Sequence, residues 1–87
     1  MNINIVAVFH PFDIQQDVMV YRGGECVRHI CPSLDNINAT LCALNKEYPA
    51  DTINFCGNPS FVNKYIKELK TNFSLQNNPT IEIVSYC

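Results

Sequence analysis

The sequence predicts one α/β domain built on a mixed β-sheet, and three observations carry that prediction. A nearly unbroken β-prone run opens the chain, two short segments flank Gly23-Gly24, and two stretches with apolar residues three and four apart alternate with further β-prone segments. The resulting order is strand, strand, strand, helix, strand, helix, strand. It fills 87 residues, a length that suits one compact domain.

The opening run, Asn2 to His10, carries Ile3, Ile5, Val6, Ala7, Val8 and Phe9, the pattern of a central strand covered on both sides. His10-Pro11-Phe12-Asp13 breaks it, since proline has no N–H for a ladder and moves the preceding residue away from helical angles. A loop then runs to about Gln16. Asp17 to Arg22 and Glu25 to Cys31 form the arms of a hairpin, because two glycines supply the positive φ angles that tight primed turns require. Ser33 is placed to cap a helix and Asp35 to face its positive end. Leu34, Ile37, Leu41, Leu44 and Tyr48 share one side of that helix, which ends before Pro49. Thr52 to Cys56 reads as a strand. Asn58 caps a second helix with Pro59 in its first position; it runs to about Phe73, burying Val62, Tyr65, Ile66, Leu69 and Phe73 while Lys64, Lys67 and Lys70 face water. Thr80 to Tyr86 closes the chain as a strand.

This order resembles, in topology alone, the core of the ribonuclease H-like fold, an antiparallel meander extended by two right-handed crossovers. The resemblance implies a five-stranded sheet in the order 3-2-1-4-5, without that fold's last helix. No sequence motif accompanies it.

Composition narrows the function. Apolar residues make up 47% and charged residues 16% of the chain, which is globular and not disordered. A net charge of -2 with six basic residues lacks the footprint of a nucleic-acid binder. The longest apolar run, Ile5 to Phe9, is far below the ~20 residues that span a bilayer, and no signal-peptide pattern opens the chain. No membrane association is expected, and the expected compartment is the cytoplasm, or the host cytoplasm if a phage encodes the protein. Eleven asparagines, with frequent isoleucine, lysine, tyrosine and phenylalanine, fit an AT-rich genome such as that of a low-GC bacterium or its phage. The odd set Cys26, Cys31, Cys42, Cys56 and Cys87 shows no paired framework, so reduced thiols are expected, with Cys42 and Cys56 as small buried hydrophobes.

The candidate chemistries are thin. A two-metal nuclease needs converging carboxylates, yet the first and fourth strands hold no acid within them, and Asp13 and Asp17 read as solvated turn residues. Cys26, His29 and Cys31 suggest zinc, but strict strand alternation turns Cys26 away from the other two, and His10 would have to arrive from another element. His29 and Cys31 could form a thiol and base couple, although nothing in the sequence orients the histidine. Cys56 precedes a helix, in a loop without the glycines or basic residues of a phosphate cradle. No catalytic residue, metal or other cofactor is expected.

Layer geometry gives the functional expectation. Two crossovers running the same way along a sheet put both helices on one face. Ile3, Ile5 and Ala7 then meet the helices, which leaves Val6, Val8, Met19, Tyr21, Val84 and Tyr86 on an apolar face with no cover. The expected function is a non-catalytic protein–protein interaction or assembly domain that self-associates, or docks on a larger complex, through those six residues. The alternatives are a small thiol-dependent enzyme and a nucleic-acid-binding remnant of the ribonuclease H-like architecture.

Overall fold

The computed structural model describes residues 2–85. Its strands are β1 (Ile3–Val8), β2 (Asp17–Arg22), β3 (Glu25–Ile30), β4 (Thr52–Cys56) and β5 (Thr80–Val84), with helices α1 (Ile37–Glu47) and α2 (Pro59–Asn72). The sheet runs β3-β2-β1-β4-β5, the mixed five-stranded order expected. β2 lies antiparallel to both β1 and β3, whereas β4 runs parallel to both β1 and β5. Among the described residues no helix is long and apolar enough to cross a membrane.

Side-chain alternation decides which face is packed. Ile3, Ile5 and Ala7 of β1, Val18 and Val20 of β2, and Ile53 and Phe55 of β4 join one core cluster with Ile37, Leu41 and Leu44 of α1 and Val62, Ile66 and Leu69 of α2. Both helices therefore cover the same face of the sheet. Phe9 extends the core past β1, stacking on Phe55 at 5.7 Å and meeting Tyr65 at 5.2 Å between ring centres. Gly57 crosses directly beside it: φ is +152°, and a Cβ there would stand 3.3 Å from both Phe9 and Val62, so the close passage of backbone over core needs glycine.

The hairpin turn has φ of 59° at Gly23 and 86° at Gly24, the double positive angle of a type I′ turn. Beyond it the ladder slips. Tyr21 pairs with Cys26 but Val20 pairs with Arg28, so Val27 is an inserted bulge residue. Asn58 caps α2 as expected, its side chain accepting from the N–H groups of Ser60 at 2.9 Å and Phe61 at 3.4 Å. The start of α1 differs from expectation. A 3-10 turn over Leu34–Asn36 precedes the helix, and Ser33 makes no side-chain cap to the backbone; its hydroxyl accepts instead from the Asn36 amide at 3.3 Å.

The asparagines, read above only as a mark of base composition, also hold connections together. Buried Asn45 on α1 donates to the Gln76 carbonyl at 2.5 Å and accepts from the Ala50 N–H at 3.0 Å. Asn77 donates to the Ala50 carbonyl at 3.0 Å. Asn38 joins the two helices, donating to the Tyr65 carbonyl at 3.0 Å and to Glu68 at 2.7 Å.

Candidate functional site

The face of the sheet away from the helices carries the residues predicted to be uncovered. Val6 and Val8 alternate with the buried β1 residues, as do Met19 and Tyr21 with those of β2, and all four are only partly buried. Val84 is 39% exposed. Register places it on the row Asp17, Val8, Cys56, Val84, on the same face. Tyr86 lies outside the described residues. The next row runs His29, Met19, Val6, Asn54, Glu82. The face is thus apolar at Val6, Val8, Met19, Tyr21 and Val84, interrupted by Asn4 and Asp17 on the two central strands, and polar at His29 and Glu82 near its edges, which narrows the expected patch. The loop from Pro11 to Gln16 does not cover it with apolar groups, since Phe12 is 100% and Ile14 84% exposed.

At the β2–β3 side of this face four polar side chains meet. Asp17 opens β2, and its two carboxylate oxygens are divided between two histidines: Oδ2 lies 2.7 Å from His10 Nε2, and Oδ1 lies 2.9 Å from His29 Nε2. Cys31, next after β3, brings its Sγ to 3.6 Å from Asp17 Oδ1 and 3.8 Å from His29 Nε2. The expectation that Asp17 is a solvated turn residue therefore fails. His10 does arrive from another element, and a buried glutamine brings it there. Gln16 is fully buried, takes the His10 N–H on its side-chain oxygen, donates to the Asp13 carbonyl at 3.0 Å, and passes its own N–H to the Pro32 carbonyl at 2.7 Å. One residue thus closes the loop and ties it to the end of β3.

Cys26 also departs from expectation. The bulge resets the alternation so that Cys26 pairs with Tyr21, on the face that carries His29. It still stays out of the cluster, its thiol facing the Arg28 carbonyl at 3.4 Å.

The electrostatics follow from these contacts. Hydrogen bonds from His29, and then from His10, hold the Asp17 carboxyl below its ordinary range. Partial desolvation, and then the Asp17 carboxylate, push the Cys31 thiol above its ordinary range. A nucleophilic thiol needs the reverse, a pKa lowered by a neighbouring positive charge. The histidine is also wrongly presented for a Cys-His-Asp relay, because the same Nε2 faces both Asp17 and Cys31. A relay uses opposite ring nitrogens for the acid and the nucleophile. The thiol-enzyme alternative loses its geometric basis at this pair.

Cys26, Cys31 and Cys42 are free, whereas Cys56 is disulfide-bonded. The expectation of reduced thiols is therefore corrected at Cys56, and the compartment inferred from reduced thiols loses that support. Cys42 is only partly buried. Comparison with protein-family models, with curated proteins and with solved structures gave no match, so the likeness to the ribonuclease H-like core rests on strand order alone.

Proposed function

We propose that this chain is a non-catalytic assembly domain that binds a second copy of itself, sheet face to sheet face, about an axis along β1. The observation that carries the reading is the row of Val6, Val8, Met19 and Tyr21 on the face opposite both helices, beside a loop whose own apolar side chains point elsewhere. Apolar groups left in contact with water favour any partner that removes them.

Polar complementarity favours a second copy as that partner. A two-fold axis parallel to β1 lays each sheet on the other with the strand order reversed, so β3 of one copy lies over β5 of the next. The row from His29 to Glu82 then meets itself in reverse: Val6 faces Val6, Met19 faces Asn54, and His29 of β3 faces Glu82 at both ends as a hydrogen-bonding pair. Sheets packed this way keep their strands within about 30° of one another.

Sedimentation of the purified chain and of Val6→Glu at tens of micromolar tests the reading. The expected result is a dimer for the native sequence and a folded monomer for the variant, because the substitution would force two carboxylates together in an apolar contact. A native chain that sediments as a monomer overturns self-association and leaves docking on a different protein as the use of this face.

A further inference from the structure

We propose that Asp17, His29 and Cys31 form a binding site for a divalent transition-metal ion of the zinc class, with His10 holding the Asp17 carboxylate from behind. The inference goes beyond the face-pairing reading and does not depend on it.

The donor set is the first argument. One imidazole nitrogen, one thiol sulfur and one carboxylate oxygen are the three ligand types zinc takes, and this mixture is poorly suited to calcium or magnesium, which take oxygen. The donor atoms lie within 4.8 Å of one another. Zinc bonds of about 2.0–2.3 Å in a tetrahedron put neighbouring ligand atoms about 3.3–3.8 Å apart. The separations here are 3.8 Å for S to N, 3.6 Å for S to O and 2.9 Å for N to O. Only the last is short, as a hydrogen bond must be, and a small side-chain rotation opens it once an ion replaces the proton between the two atoms.

The scaffold is the second argument. Met19 pairs with His29 and Val18 with Ile30, and the isolated bridge between Gln15 and Ser33 continues that register past the strand ends, so Cys31, which follows β3, is held opposite Asp17. His10 bonds Oδ2 and leaves Oδ1 to face His29 and Cys31, the outer hydrogen bond that orients a coordinating carboxylate. Asp17 is partly buried while His29 and Cys31 are exposed, so a fourth position opens to solvent and takes water.

The exchange balances simply. The ion displaces the Cys31 thiol proton into water and bonds the thiolate; the His29 proton that bridges Nε2 and Asp17 moves through solvent to Nδ1, which frees the Nε2 lone pair. With the Asp17 carboxylate the bound set is neutral overall, so the site itself carries no net charge.

Calorimetric titration of chelator-treated protein with Zn2+, and absorption titration with Co2+, test the site. The expected result is one saturable equivalent, with a thiolate-to-cobalt charge-transfer band. Cys31→Ser should remove the band, and both Cys31→Ser and His29→Gln should weaken Zn2+ binding by more than 100-fold. His10→Ala should weaken it by about 10–100-fold, the usual effect of losing an outer partner, and Cys26→Ser should change neither reading. Val6→Glu should bind Zn2+ as the native sequence does, which separates the site from self-association. No saturable binding, a cobalt spectrum without the thiolate band, or unchanged affinity in both Cys31→Ser and His29→Gln overturns the proposal and leaves the four residues as a hydrogen-bonded cluster only.

Discussion

The two faces of the sheet are made from the same strands, yet they are specified by different forces. Facing the helices, Ile5, Ala7, Val18, Val20, Ile53 and Phe55 are fully buried, and every position is set by the volume left between two helices and a sheet. On the other face the neighbouring residues Val6, Val8, Met19 and Asn54 are only partly covered, and apolar, hydrogen-bonding and metal-ligand groups sit side by side. The first face can be explained by packing alone. The second keeps groups that packing did not require, and a function is best sought where the fold leaves residues free to vary.

The sharpest way to break this comparison is to truncate one residue on each face. Phe55→Ala should cost about 3–5 kcal/mol of folding free energy, by transfer loss and the cavity beneath Phe9, whereas Val6→Ala should cost the isolated monomer less than about 1 kcal/mol. Urea denaturation at low protein concentration measures both, and comparable losses would mean that the open face is as packed as the covered one. A smaller effect is expected at the sheet edge. Val84→Glu should change monomer folding by no more than about 0.5 kcal/mol while weakening association by sedimentation; an unfolded variant would put Val84 on the packed side and reverse the phase of β5.

The smallest effect concerns acid. Asp17 has a lowered pKa through its bonds to His29 and then His10, so its ionised form favours the folded chain. That stabilisation is complete above the ordinary carboxylate value of about 3.9 and is lost as pH falls through the lower folded value. In metal-free protein, Asp17→Asn should therefore lower stability slightly at neutral pH and change it little at the acid end, so that the acid limb of the stability profile becomes shallower. Stepwise denaturation below about pH 5 would reveal it, and an unchanged profile would mean that the carboxylate bonds are too solvated to matter.

Much of the architecture is legible before any coordinates. Alternation set the phase of β1 and β2, Gly23-Gly24 marked the hairpin, and Asn58-Pro59 marked the start of α2, because each is a local rule with a local cause. The bulge at Val27 was not legible, since no glycine or proline announces it and only the twist of the paired strand demands it. Half of the polar cluster was visible in the same way. His29 and Cys31 stand two residues apart on one strand and drew attention, while His10 and Asp17 looked like loop residues. What joins them is buried Gln16, whose amide satisfies backbone groups on both sides of the loop. A glutamine used in this manner leaves no periodic trace, and the clue that remained was an acid at the first position of a strand with a histidine on either side in space.

The bulge also bears on how large an assembly this chain can build. β3 lies at the rim of the sheet with nearly every residue exposed, and a straight rim strand of that kind invites another chain to add itself, then another, without end. Inserting Val27 breaks the even spacing of donors and acceptors along that rim and coils it away from the plane. Growth by strand addition is thereby frustrated at β3. The proposed association through a face about a two-fold axis stops at two copies, so the same irregularity that moved Cys26 guards the β3 rim against fibre-like growth and leaves β5 as the rim still open to an added strand.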